Sequence, residues 1–189
     1  MNSGILEVLS CSVALHCPLS AFSVCAVVAS RFRILQTPRL NRILSVSGLV
    51  GAVLEELVDQ AILVREKSYA PYSKFQVGAA LLCDDGTIIT GCNVENAVYP
   101  LGNCAERTAI HKAVSEGHRK FKAIAIAAHM DKEFVGPCGA CRQTLREFGS
   151  NIEVYMVKAE SREMAKTDVQ ELLPFMFPPR ETTFRGIKF

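Results

Sequence analysis

Two short cysteine stretches constrain this 189-residue chain more than any other feature: Asn103-Cys104-Ala105-Glu106-Arg107 and Pro137-Cys138-Gly139-Ala140-Cys141-Arg142. Together they offer three thiolates, Cys104, Cys138 and Cys141, with the carboxylate of Glu106 between the first two in sequence. Zinc favours a tetrahedron, and three protein ligands leave one position for water, whose pKa the ion lowers towards neutrality. A carboxylate beside such an ion, yet not needed as a ligand, suits proton transfer. The pairing points to hydrolytic chemistry.

The pattern around these stretches places both at helix starts. Leu49, Val50, Val53, Leu54, Leu57, Val58, Ala61, Ile62 and Val64 predict an apolar helix face, ending before Pro71. Residues 75–83 and 87–94 read as strands joined by an Asp85-Gly86 turn. A helix follows over 104–116, with Gly117 just past its end. Residues 121–129 form a continuous apolar run, as in a strand covered on both faces. A helix over 138–148, closed by Gly149, and a strand over 152–157 come next. Thr167-Asp168-Val169-Gln170 resembles a capping box ahead of a short helix ending near Pro174. The order α-β-β-α-β-α-β-α is a hairpin feeding two right-handed crossovers, hence a mixed α/β sheet between helices.

A helix N-terminus carries unpaired N–H groups and a partial positive charge, which favours thiolate and offsets the charge of three sulfur ligands. Cys138 and Cys141 share one side of a first turn. Arg107 and Arg142 are placed to donate to the sulfurs. Taken alone, Cys138-x-x-Cys141 also fits a redox motif. A closed structural zinc site would need a fourth ligand, for which Cys83, Cys92, His111 and His129 are the candidates and spacing favours none. Cys83 and Cys92 otherwise read as buried, inert thiols in strand-like segments.

Composition narrows the function further. A hydrophobic content of 49% suits one packed domain over 49–189, and a net charge of +2 provides no broad basic field for nucleic acid. Three of the eight cysteines fall in the first 25 residues, and the others suit a reducing compartment better than a disulfide framework. Residues 1–48 read as a separate N-terminal extension. Its uncharged run from Val8 to Ser30 followed by Arg31, Arg33, Arg39 and Arg42 raises targeting or anchoring, but Glu7 and Pro18 fit a signal sequence poorly. An unstructured extension is the preferred reading, with a cytoplasmic domain.

Four motifs in order then resemble the small, homotetrameric, zinc-dependent cytidine deaminases. They are Ala70-Pro71-Tyr72-Ser73-Lys74-Phe75-Gln76-Val77-Gly78-Ala79, Gly91-Cys92-Asn93-Val94-Glu95-Asn96-Ala97, the paired cysteine stretches, and Glu171-Leu172-Leu173-Pro174. The cysteine pair matches the zinc nucleobase deaminase signature in its three-cysteine form. The resemblance covers residues 49–177 and implies a three-layer α-β-α sandwich around a mixed sheet of about five strands. It implies one zinc ion per subunit on Cys104, Cys138 and Cys141, with Glu106 carrying a proton from the nucleophilic water to pyrimidine N3. The Ala105 N–H would hold the base O2, the Gly136 carbonyl would accept from the leaving amine, and Phe75 would stack on the ring. Asn93 and Glu95 would bond the ribose, Tyr99 would edge that pocket, Arg107 would support the sulfurs, and Phe177 would reach a neighbouring subunit's site.

The implied reaction is hydrolysis of cytidine and deoxycytidine to uridine and deoxyuridine plus ammonia, in pyrimidine salvage. The partner is a small nucleoside, with no nucleic acid and no membrane. The alternatives are a deaminase of another aminated nucleoside or nucleoside antibiotic, and a silent, zinc-stabilised oligomerisation module.

Overall fold

In the computed structural model the described residues are 49, 51–177 and the two short strands at 183–184 and 187–188. The extension over 1–48 and most of the tail lie outside them. The elements are α1 (Ala52–Arg65), β1 (Val77–Cys83), β2 (Ile88–Cys92), α2 (Ala105–Ser115), β3 (Phe121–Ala128), α3 (Gly139–Phe148), β4 (Glu153–Lys158), β5 (Met164–Asp168) and α4 (Val169–Leu172), then β6 (Thr183–Phe184) and β7 (Ile187–Lys188).

α1 starts at Ala52, not Leu49, because Gly51 sits at φ 78°, outside helical space. Leu54, Leu57, Val58 and Ala61 are its buried face, whereas Val53, expected there, is 47% exposed. The helix stops at Arg65, well before Pro71, because the next residues are drawn into an extended bridge. Tyr69 N–H donates to the Asn93 carbonyl at 3.1 Å, and Glu95 N–H donates to the Tyr69 carbonyl at 2.8 Å.

The main sheet runs β2-β1-β3-β4-β5. β1 is antiparallel to both β2 and β3, so those two run the same way with β1 between them and α2 crossing over it. β3 and β4 are parallel, joined through α3, and β5 adds antiparallel to β4. β5 is a strand that local pattern did not predict. Met164-Ala165-Lys166-Thr167-Asp168 buries only Met164 fully, as an edge strand permits. The capping motif also shifts by one residue: Asp168 is the N-cap of α4 and accepts from Glu171 N–H at 2.8 Å, while the Thr167 hydroxyl donates to the Glu171 carboxylate.

Two apolar layers flank the sheet. Ala80, Leu82, Ala123, Ala125, Ala127 and Val157 pack with Leu54, Leu57, Val58 and Ala61 of α1. Val77, Ala79, Leu81, Ile124, Ile126 and Val154 pack with Ala105, Ala109 and Ile110 of α2, and with Leu145 of α3. The small alanines of β3 at 123, 125 and 127 let α1 lie close on its side, while Ile124 and Ile126 fill the other. The result is a three-layer α-β-α sandwich.

A polar cluster at the β4–β5 edge predicts acid sensitivity. The Glu153 carboxylate accepts from Lys166 Nζ at 2.6 Å, Tyr155 OH at 2.7 Å and Leu49 N–H at 3.2 Å. Burial alone would raise its pKa, but these donors outweigh that and hold it below the ordinary 4.5. A depressed carboxylate stabilises fully above the unfolded-state pKa and loses that contribution as pH falls through the folded one. Glu153→Gln is therefore expected to cost about 1–3 kcal/mol near neutral pH. The gap between wild type and variant in denaturant melts should close on acidification below the ordinary carboxylate pKa. A gap that held constant through acid would contradict this.

Candidate active site

The three cysteines converge. Cys104 is the N-cap of α2 and Cys138 the N-cap of α3, and neither sulfur is used in capping. Cys141 lies in the first turn of α3 and is fully buried. Cys104 Sγ lies 3.8 Å from Cys138 Sγ, and Cys138 Sγ lies 3.5 Å from Cys141 Sγ. A tetrahedron with Zn–S bonds of about 2.3 Å has edges of about 3.8 Å, so the donor set fits zinc in both chemistry and spacing. Among the described residues, no fourth His, Cys, Asp or Glu joins this cluster. Cys83, Cys92, His111 and His129 all lie outside this cluster, so none of these four candidates closes it.

Electrostatics favour thiolate at Cys104, whereas hydrogen bonding to Cys104, and then burial, raise the pKa of Cys141. Hydrogen bonding from Cys141, aided by the Arg107 guanidinium, pushes Cys104 down to about 5, against its own desolvation. Arg107 Nη2 lies 3.8 Å from Cys104 Sγ and 3.3 Å from the Gly102 carbonyl, as expected of a residue supporting that sulfur. Arg142 does something else. Its guanidinium donates to the Pro137 carbonyl at 2.8 Å and the Leu172 carbonyl at 3.0 Å, tying the cysteine loop to α4.

Glu106 sits in the first turn of α2 and is only 4% exposed. It is close enough to Cys104 and Cys141 for both to bear on its ionisation, and burial, reinforced by negative charge on Cys104, raises its pKa. An ordinary helix-start acid faces water; this one faces the sulfurs. A carboxyl group that favours its proton more than usual suits proton transfer. Ala105, also in that turn, is fully buried. Gly136 is half-buried just ahead of Pro137, beside the Met156 thioether.

A cleft of about 380 Å³ adjoins Cys104 and Arg107 and is lined by Asn93, Glu95, Tyr99 and Asn103. Asn93 and Glu95 both face the 68–77 segment. Asn93 Oδ1 accepts from Val77 N–H at 2.8 Å and from the Ser68 hydroxyl, and its Nδ2 donates to the Phe75 carbonyl at 2.9 Å. Glu95 accepts from Tyr72 N–H at 2.9 Å, Ser73 N–H at 3.2 Å and the Ser73 hydroxyl, and those bonds lower its pKa. Neither serine contact is announced by the local sequence, although Ser73 lies inside the 70–79 motif. Tyr99 is 70% exposed on a short 3₁₀ turn, 6.1 Å from Tyr72 ring to ring. The strand expected from residue 75 begins only at Val77, so Phe75 precedes β1, and it is 37% exposed. Phe177 is exposed, and its carbonyl accepts from Gln143 Nε2 at 3.1 Å.

Known proteins resemble this chain in sequence and fold. The profile of the "Cytidine and deoxycytidylate deaminase zinc-binding region" matches residues 52–158. This chain belongs to the cytidine deaminase family. It is similar to the cytidine deaminase of Sporosarcina psychrophila, 47% identical over 69% of this chain and 96% of that one. The cytidine deaminase of Halalkalibacterium halodurans is 51% identical over 64% of this chain and 91% of its own. A crystal structure of cytidine deaminase from Burkholderia pseudomallei superposes with a TM-score of 0.62 at 45% identity, covering 65% of this chain and 98% of that one. The cytidine deaminase fold is thus the three-layer sandwich described above, and the family is one of zinc-dependent hydrolases.

Proposed function

We propose that this chain hydrolyses cytidine and deoxycytidine to uridine and deoxyuridine, releasing ammonia. The observation that carries the reading is the buried Glu106 carboxylate beside a three-sulfur cluster with no fourth protein ligand among the described residues. Cys104, Cys138 and Cys141 would hold one zinc ion, which supplies an acidified water as nucleophile and offsets charge developing on the ring. Glu106 takes up the proton released as the nucleophile forms and gives it to pyrimidine N3. The Ala105 N–H holds the base O2, and the Gly136 carbonyl accepts from the departing amine. Phe75 offers its ring face to the base. Asn93 keeps one amide hydrogen, and Glu95 one lone-pair direction, beyond the bonds they make within the protein; these would receive the ribose hydroxyl. Tyr99 closes the edge of the cleft.

A neutral nucleoside suits this cleft better than a nucleotide. Of its lining residues only Arg107 is cationic, and its Nη2 is turned to Cys104 and Gly102. A silent oligomerisation module would have no use for a buried carboxylate at the metal. Assembly into a homotetramer is supported by apolar side chains left uncovered in one chain. Val98, Leu101 and Phe175 are 56, 69 and 105% exposed. Phe177 would then reach a neighbour's cleft. Reduced zinc-binding thiols favour a cytoplasmic location.

The purified chain is expected to convert cytidine to uridine with stoichiometric ammonia, and to leave cytidine 5′-monophosphate largely untouched. Equal turnover of the monophosphate would overturn the nucleoside assignment, and no turnover of either with zinc present would overturn the activity.

A further inference from the structure

At the far end of α2 from the cysteine cluster, a second group of metal-ligating side chains comes together. Cys83 at the end of β1, Asp85 in the hairpin turn and His118 after α2 place one ligand atom each within 4.8 Å of one another. α2 has 11 residues, so the two clusters are separated by roughly 17 Å of helix.

Local structure aims all three inward. The register between β1 and β3 shifts at Leu82/Cys83, an irregularity that re-aims the cysteine at the strand end. Asp85 Oδ1 is held by Thr87 N–H at 3.0 Å, leaving Oδ2 turned to His118 Nδ1 at 3.3 Å. His118 is fixed by the turn that closes α2: its N–H donates to the Ala113 carbonyl at 2.9 Å, while Gly117 N–H donates to the Val114 carbonyl at 3.2 Å.

We propose that Cys83, Asp85 and His118 form a second zinc site, which clips the β1–β2 hairpin to the α2–β3 turn. One sulfur, one imidazole nitrogen and one carboxylate oxygen are the ligand types zinc takes in tetrahedral sites, and a thiolate disfavours magnesium or calcium. Zinc bonds to nitrogen and oxygen of about 2.0–2.1 Å span a tetrahedral edge of about 3.3 Å, the separation already present between Asp85 and His118. Charge around the cluster is mixed. Burial first, then the carboxylates of Asp85 and Glu116, push the Cys83 thiol up, so the acids near it favour a cation, while Arg119 donates to the Val114 and His118 carbonyls and Lys122 to the Asp84 carbonyl. Cys83 is buried on the core side, whereas the Asp85 side chain is 56% exposed, so a water completes the shell from the solvent face. On binding, the Cys83 thiol releases its proton to solvent and the sulfur becomes a thiolate ligand.

The test is zinc stoichiometry of the full chain, by competition with a chromophoric chelator, in wild type, His118→Ala and Asp85→Asn. Both variants alter partly exposed side chains outside the catalytic cleft and should fold. The expected result is two equivalents in wild type and one in each variant, with cytidine turnover within twofold of wild type in all three. Added zinc should raise the melting temperature of the wild-type holoenzyme and not of either variant. Saturation of wild type at one equivalent, or a second equivalent that survives in both variants, overturns the proposal. Neither outcome touches the three-cysteine site, whose loss would show as loss of the first equivalent and of turnover.

Discussion

Glu106→Gln is expected to lower ammonia release from cytidine by about 10²–10⁴-fold at unchanged zinc content. The substitution keeps side-chain shape and removes only the capacity to take and give a proton, so the core around α2 should hold. Glu106 is 4% exposed and is not within ligand reach of all three sulfurs. Its loss should therefore leave the metal in place and appear mainly in kcat, because an interaction made only as protons move lowers kcat and kcat/KM together. A merely structural acid at a helix start predicts the reverse, a small loss of stability with turnover intact. Retained turnover in a zinc-loaded Glu106→Gln would remove the proton-transfer role. Loss of zinc along with turnover would instead make the carboxylate a determinant of metal binding.

Much of this site was legible because its chemistry is local in sequence. Cys104 and Glu106 occupy one helical turn, as do Cys138 and Cys141, and the turn signals ahead of them fix where those helices begin. α2 and α3 accordingly start within a residue of expectation. What sequence could not supply was long-range. β5 forms because β4 offers an edge, not because Met164-Ala165-Lys166-Thr167-Asp168 alternates strongly. The Ser68 and Ser73 hydroxyls meet Asn93 and Glu95 across 25 and 22 residues of chain. Cys83 looked like an inert strand thiol, and nothing nearby in sequence announces that His118 returns to it. Arg142 read as a sulfur donor or an ordinary solvated helix residue, and its reach to the Leu172 carbonyl depends on where α4 docks.

Gly91→Ala should be the most damaging single-methyl addition on the catalytic side of the sheet. A Cβ built at Gly91 would stand 2.3 Å from Ala109 N and 2.7 Å from Ala105 O, both backbone atoms of α2. No flexible side chain is there to yield, so α2 must lift off β2. Overpacking of this kind costs about 1–3 kcal/mol and sometimes more, which for a chain of this size means a melting point lower by about 2–12 °C. The same lift moves Cys104 and Glu106 away from Cys138 and Cys141, which ride on α3. A misplacement of about 1 Å can itself cost about 10² in rate, so the surviving folded protein should also turn over slowly and hold zinc weakly. Gly78→Ala separates the two effects. Its Cβ would meet Ala61 O at 2.1 Å and Arg65 N at 2.7 Å, but these belong to α1 on the opposite face, which carries none of the site. It should lose comparable stability yet keep near-normal activity per folded molecule at low temperature. If the two variants lost activity in proportion to unfolding alone, the close seat of α2 on Gly91 would have no part in setting the catalytic geometry.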